Sequence, residues 1–207
     1  ANDPSAGQGL FNGSFTTGTQ FNFKPMDNFG IGVSYLYSYF SAQDGVNLTG
    51  STGSRVASNP FYGAPTNRQT FNIQSSWKIL DNLNLSGWFG YGYAEAQGID
   101  GSGQNRSGLG ADLWTWNAAL SVLDVFKEGA VASLSGGLMP YAPYVGSLPG
   151  DRTPNDVNAP YIIEAQYKYP ISKNIQITPG AYVILNPEGN GNNDSIWVGV
   201  IRTTFKF

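Results

Sequence analysis

The chain contains neither cysteine nor histidine. The missing cysteine excludes disulfides and thiolate metal sites. Histidine is the commonest general base, catalytic-triad member and zinc ligand, so its absence argues against most hydrolases and metalloenzymes. The composition therefore favours a function that does not depend on histidine chemistry, and it predicts no cofactor.

Charge and long apolar runs are also scarce. Charged residues make up 12% of the 207 residues and the formal net charge is -3, whereas soluble proteins carry about twice that share of charged residues. This low, slightly negative charge argues against a nucleic-acid partner. The longest apolar runs are far shorter than the roughly 20 residues that a transmembrane helix needs. Aromatic residues nevertheless reach 14%, and glycine occurs 27 times.

A side-chain period of two recurs along the whole chain. Residues 31–39 show it most clearly, because Ile, Val and three Tyr residues alternate there with Gly, Ser and Leu. Such alternation is typical of β-strands that have two different faces. It predicts nine strands, at about 11–23, 31–39, 68–79, 85–93, 111–123, 130–139, 161–169, 175–185 and 195–207.

The connections between these strands alternate in length. Short turns are expected at about 24–29, 80–84, 124–129 and 170–174. Long loops rich in Gly, Asn, Asp, Ser and Pro are expected at 43–66, 97–110, 140–158 and 186–194. Short turns at one end and long loops at the other predict the wall of an all-β, antiparallel, up-and-down barrel.

The two strand faces differ in a way that favours a membrane. The polar faces carry Ser, Thr, Asn, Gln and Gly with few charges, and the apolar faces end in Tyr, Trp and Phe. Aromatic residues at strand ends match the interfacial girdles of outer-membrane barrels, whose apolar face contacts lipid. The pattern thus predicts a transmembrane β-barrel wall, and a soluble structural or adhesive β-protein is the alternative.

The last strand keeps an apolar face up to the final residue. Ile201, Thr203, Phe205 and Phe207 share that face. We expect them to form a C-terminal assembly signal that the outer-membrane insertion machinery reads, so that deletion of Phe207 impairs assembly rather than conduction.

Nine strands are an odd number, whereas bacterial single-chain barrels have an even number with both termini at the short-turn side. This parity predicts that the chain is the C-terminal portion of a larger barrel and that an odd number of strands precedes it. The alternatives are a miscounted strand, or a tenth strand hidden in 43–66 or 140–158.

Three stretches carry a resemblance to a known family. "VFKEGAVASLSGGLMP", "APYIIEAQYKYPISKNIQITPGAYVILNP" and "NNDSIWVGVIRTTFKF" resemble the C-terminal half of the cyanobacterial outer-membrane porins of the OprB-type carbohydrate-selective family. The resemblance implies a barrel of about sixteen strands, a homotrimer, and a partner N-terminal part that includes a periplasmic surface-layer-homology domain. Residues 1–207 would then be one C-terminal portion of the barrel, without a second domain.

The resemblance also implies a function. Such porins let small hydrophilic solutes diffuse passively through a water-filled channel, so inorganic ions are the expected solutes, and sugars or iron species are further candidates. The chain is accordingly not expected to be an enzyme. An outer-membrane barrel enzyme is the alternative, but it would need a base other than histidine.

Alternation places several side chains on the face that would line the channel. The pore-lining candidates are Arg68, Lys78, Trp88, Glu164, Lys168 and Arg202. Inward charges set the field in a water-filled lumen. As alternatives, the charges hold a plug or a neighbouring loop in place, and Trp88 either stacks a sugar ring or packs against a folded-in loop.

Two glycine-rich segments raise the question of calcium. They contain Asp100, Asp112 and Asp194, and carboxylate oxygens are ligands that calcium prefers. The spacing lacks the regularity of a calcium-binding loop, which favours solvated turns over a metal site.

Overall fold

The computed structural model describes residues 13–151 and 155–206. These residues form one nine-stranded antiparallel sheet in which consecutive strands are neighbours. The strands are β1 (Phe15–Met26), β2 (Phe29–Phe40), β3 (Thr66–Leu80), β4 (Leu83–Ala96), β5 (Gly110–Leu123), β6 (Val131–Val145), β7 (Tyr161–Pro170), β8 (Ile175–Leu185) and β9 (Ile196–Phe205). One short helix, α1 (Arg55–Ser58), and a 3-10 turn (Pro187–Gly189) interrupt the loops. The predicted all-β, up-and-down wall is confirmed.

The connections alternate as predicted. The short turns after β1, β3, β5 and β7 lie at one end of the sheet, here called the short-turn end, and the longer connections lie at the long-loop end. Within the described residues, β1 and β9 do not pair, so the sheet is open. The described parts of 43–66 and 140–158 contain no additional strand, so the hidden tenth strand was a wrong alternative.

Strand β6 is longer than the alternation predicts. The loop expected at 140–158 begins only after Val145, because β6 continues through Pro140 and Pro143. Pairing between β6 and β7 ends at Leu138, and beyond it β6 pairs with β5 alone. Proline lacks an N–H donor, and both prolines lie where the β5–β6 register shifts, at bulges that tolerate proline. The prolines therefore do not end the strand.

The two faces of the sheet have different side chains, most clearly in β1–β5. One face, called the apolar face, carries exposed large side chains such as Trp197 (77% exposed), Ile201 (74%) and Phe21 (73%). The opposite face, called the polar face, carries mainly Ser, Thr, Asn, Gln and Gly. A soluble monomer rarely exposes so broad an apolar surface, so the apolar face needs a non-aqueous covering. None of the helices in the described residues is long and apolar enough to cross a membrane.

A hydrophobic core forms only at the long-loop end of the described sheet. Residues 41–65, here called the inner loop, fold back over the polar face. The buried members of this core are Val46, Leu48, Ala57, Phe61 and Ala64 from the inner loop, and Ala94, Ala96, Ala111, Leu113, Ala142 and Val145 from the strands and their ends. The alanines leave room for the loop to approach the sheet closely.

Candidate functional site

The inner loop is fixed to the wall by a buried carboxylate. The Ser54 hydroxyl accepts a hydrogen bond from the Ala57 N–H (2.9 Å), which caps α1, and it donates to Asp156 Oδ2 (2.6 Å). The same Asp156 oxygen accepts from the Ala142 N–H of β6 (2.8 Å). One side chain thus joins the inner loop, β6 and the loop before β7.

Burial raises the pKa of Asp156, although the hydrogen bonds from Ala142 and Ser54 oppose that shift. A carboxyl group whose pKa is raised in the folded state binds its proton more readily there than in the unfolded chain. Its contribution to stability is therefore full at low pH and is lost as the pH rises through the folded pKa.

A second cluster holds two long loops together. The Arg106 guanidinium donates from Nε to Asp100 Oδ2 (2.6 Å) and from Nη1 to Asp151 Oδ2 (2.7 Å). The same guanidinium lies 4.3 Å from the centre of the Tyr62 ring. Because Arg106 and Asp100 are buried and Asp151 is nearly so, this cluster joins the β4–β5 loop, the β6–β7 loop and the inner loop.

Hydrogen bonds lower the pKa of both carboxyl groups in this cluster. For Asp100 the donors are the Ser102 hydroxyl and then Arg106, and for Asp151 the first donor is Arg106. Lowered pKa values mean that the stabilisation is present above the pKa of an unfolded aspartate, about 3.9. It is lost as the pH falls below that value.

We expect replacement of Arg106 with alanine to loosen the long-loop end, because the substitution leaves buried carboxylates without their cation. In the intact protein at pH 7, amide hydrogen exchange in 97–109 and 146–151 should become at least about tenfold faster. The matched control is Arg55→Ala, since Arg55 and Glu188 form an exposed ion pair (89% and 44% exposed). Exposed pairs contribute little. Equal exchange in the two variants would contradict the assigned role of Arg106.

The strand register places all six pore-lining candidates on the polar face. Arg68 is opposite Ser38 and Ala94, Lys78 opposite Asn84, and Trp88 opposite Gln74 and Asn117. On the other side of the sheet, Glu164 is opposite Ser135 and Tyr182, Lys168 opposite Val131, and Arg202 opposite Thr178. Their common face follows from the structure, whereas their pore-lining role stays a prediction.

Arg68 lies beneath the inner loop. Its Nη1 donates to the backbone carbonyl of Leu48, and its guanidinium lies 5.2 Å from the centre of the Phe40 ring. Its Nε and the nearby Thr70 hydroxyl are buried without a hydrogen-bond partner in the described residues. Arg68 thus makes the contact considered as the alternative to pore lining, in which a charge holds a plug or a neighbouring loop.

The other charged candidates lie in more open positions. Lys78 Nζ is 2.8 Å from the Asp81 carboxylate in the short turn after β3. Lys168 and Arg202 are exposed and Glu164 is half-buried, and none of these three forms an ion pair with another described residue. The register puts Lys168 and Arg202 on either side of β8, about 10 Å apart, so the β7–β9 wall presents two cations close together.

A groove of about 520 Å³ surrounds Trp88 on the polar face. Gln74 and Asn117 stand directly beside Trp88 on the two neighbouring strands. Asn22, Gly32 and other small residues complete the walls together with Phe23, Ile31 and one charged residue, Lys24. The inner loop contributes no residue to this groove, whereas it does line a second cavity of about 440 Å³ above it, around Arg68 and Thr70.

The identity of the inner loop and its points of contact with the wall are the part of this region that sequence reasoning missed. A signal was present in the sequence, because "YAEA" and "ADLW" place Ala94, Ala96, Ala111 and Leu113 on the face that is otherwise polar. Loss of alternation at a strand end indicates that something covers both faces there. Which segment covers them depends on contacts distant in sequence.

The remaining candidates have the following positions. Ile201, Thr203 and Phe205 lie on the apolar face, and Phe207 is outside the described residues. Asp112 is on β5 rather than in a loop, where it accepts a hydrogen bond from the Tyr91 hydroxyl (2.7 Å). Asp100 is bonded to Arg106, and the described residues hold no group of three or more acidic side chains that could bind a metal ion.

The chain is similar to known proteins. A family model described as "Carbohydrate-selective porin, OprB family" matches residues 2–207. An uncharacterized protein of Synechocystis sp. is 36% identical over 218 residues, covering 100% of this chain and 39% of the relative. An uncharacterized protein of Nostoc sp. is 30% identical over 212 residues, covering 100% of this chain and 34% of the relative. The chain thus spans between a third and two fifths of these relatives, and no solved structure matches it.

Proposed function

Because the chain belongs to the carbohydrate-selective porin, OprB family, we propose that it forms part of the wall of an outer-membrane channel for passive diffusion of small sugars. The observation that supports this most is the sheet with one continuous apolar face and one polar face. In a transmembrane barrel the apolar face contacts lipid and the polar face lines a water-filled lumen. The inner loop then lies inside the lumen, where it narrows the passage.

The choice of solute differs from the first expectation. Inorganic ions and iron species find no support in the family description, which names carbohydrates. Porins are channels, so the family also argues against a barrel enzyme and against a soluble adhesive protein. The largely uncharged groove around Trp88 suits a neutral, hydroxyl-rich solute better than an ion.

The remaining partners are part of this proposal. Strands outside the present chain would pair with the free edges of β1 and β9, because unpaired backbone groups are not tolerated in the hydrocarbon layer. A homotrimer, lipid contact in the outer membrane and recognition of Ile201, Thr203, Phe205 and Phe207 by the insertion machinery complete the assembly. The cyanobacterial relatives are consistent with a bacterium that has an outer membrane.

Sugar flux through the intact protein tests the proposal. The purified protein is reconstituted in liposomes, and swelling rates are measured in isosmotic glucose, maltose and a sugar too large for a porin. We expect swelling in the smaller sugars that falls with solute size, and none in protein-free vesicles. Salt conductance without sugar entry would contradict a sugar channel, and the absence of both would contradict a channel of any kind.

A further inference from the structure

We propose that Trp88, together with the flanking amides of Gln74 and Asn117, is a sugar-binding site inside the channel, where the indole stacks against the apolar face of a pyranose ring. This inference rests on the proposed function, because it names the point at which a permeating sugar pauses. The site would take neutral hexoses and short oligosaccharides made of them.

An indole and two carboxamides lie side by side on three neighbouring strands. Gln74 of β3 and Asn117 of β5 are the direct cross-strand neighbours of Trp88 on β4. Direct neighbours on one sheet face have Cβ atoms about 5 Å apart, so both carboxamides flank the indole. Neither carboxamide hydrogen-bonds to another described residue. Their donors and acceptors are therefore available to sugar hydroxyl groups.

Two glycines on the polar face leave space near the indole. A Cβ at Gly32 would lie 2.7 Å from Asn22 Oδ1 and 2.9 Å from Gln74 Nε2, and a Cβ at Gly90 would lie 2.6 Å from Asn72 Oδ1. A larger residue at either position would push these amides aside. Gly32 thus makes room for the Asn22 and Gln74 amides that line the groove, and Gly90 makes room for Asn72 on the long-loop side of it.

The Trp88 side chain is accessible to solutes. Trp88 is 43% exposed, and the inner loop ends above it, because the cavity under the loop is lined by Gly90 and Gly92 but not by Trp88. Packing against the folded-in loop is therefore not the role of this side chain. Instead, the exposed indole lies immediately on the short-turn side of the inner loop. A solute that has passed the loop would contact this indole next.

The chemistry of the groove distinguishes sugars from ions. A pyranose has an apolar face of C–H groups and a polar rim of hydroxyl groups, which match an aromatic face with amides on both sides. Lys24, at one edge, is the one charged residue among those that line the groove. The groove thus offers an ion few charged partners, whereas it offers a sugar an aromatic face for its C–H groups and amides for its hydroxyl groups.

The test is the sugar-dependent change of ion current through single channels of the intact protein in planar bilayers, with glucose and maltose as probes. We expect Trp88→Ala to weaken sugar binding at least about fivefold and Trp88→Phe to retain part of it. The control, Trp197→Ala, removes an exposed indole from the apolar face and should leave sugar binding unchanged. Gln74→Ala, which keeps the indole, should weaken binding by a smaller factor.

The outcomes separate this inference from the proposed function. If the unaltered protein admits no sugar in the swelling assay, the proposed function fails. If it admits sugar and Trp88→Ala binds sugar as tightly as the unaltered protein does, the site assignment fails and the channel proposal survives. Should Trp88→Ala fail to assemble, Trp88→Phe and Gln74→Ala decide, because unchanged binding in both would overturn the inference.

Discussion

Replacement of Phe61 with alanine is expected to release the inner loop from the polar face and to raise the single-channel conductance of the intact protein. Phe61 is fully buried and is the largest such side chain in the described residues. Truncation of a buried phenylalanine typically costs about 3–5 kcal/mol. The core that holds the loop contains otherwise mainly alanines and a few aliphatic residues, so little would remain to compensate for the loss.

The hydrogen bonds of Asp156 do not hold the loop in place alone. They join Ser54 and Ala142 through one carboxylate, and a typical hydrogen bond contributes about 1 kcal/mol net, or about 1.5–3 kcal/mol when one group is charged. The aromatic contribution is thus similar in size to the polar one. Losing it should leave the loop mobile while the strands stay paired.

Two measurements on the same variant separate loop release from channel widening. Amide hydrogen exchange in residues 41–65 reports release of the inner loop, and conductance in planar bilayers reports the width of the passage. The matched control is Phe126→Ala, because Phe126 lies in the short turn after β5 with a side chain that is 98% exposed. Faster exchange with unchanged conductance would show that the inner loop does not constrict the channel.

The strands and their faces were predictable from the sequence because both depend on a local pattern. Each predicted strand is present, and the six inward candidates do share one face. Alternation carries this information because side chains point to opposite faces at every second residue. In the proposed barrel, lipid on one side and water on the other impose the pattern along each strand separately.

The inner loop was not predictable in the same way. Its core joins residues such as Leu48 and Phe61 to Ala111 and Val145, which are far apart in sequence. Residues 43–66 read as a polar loop, and only a few apolar positions within them indicated burial. The contact of Arg68 was not predictable either, because its partner, the carbonyl of Leu48, lies in the inner loop, whose position depends on the fold.

The open sheet has few internal contacts to stabilise it away from the inner loop. Toward the short-turn end, the described polar face has no covering layer, and the apolar face is exposed along its length. A soluble sheet would pack at least one face against another layer. In the proposed barrel, stability at this end comes from the strand pairing, from the surrounding lipid and from closure of the wall.

Contact of the apolar face with lipid, as proposed above, predicts the second large effect. Substitution of Leu134 with arginine places a charge on the apolar face in the middle of the wall, where Leu134 is 56% exposed and its neighbours are Leu120 and Ala165. A lipid-facing arginine near the bilayer midplane costs about 2–4 kcal/mol in transmembrane barrels. We expect this loss in the free energy of unfolding, measured by urea titration of the intact protein in lipid vesicles.

The control is the next residue along the same strand. Ser135 lies on the polar face, directly opposite Ala119 and Glu164, so Ser135→Arg adds the same side chain next to a carboxylate and, in the proposed channel, in water. Its effect on the free energy of unfolding should stay within about 0.5 kcal/mol. Equal losses in the two variants would contradict a lipid-facing apolar surface. A loss confined to Ser135→Arg would mean that the faces are reversed and that the polar face is covered in the complete protein.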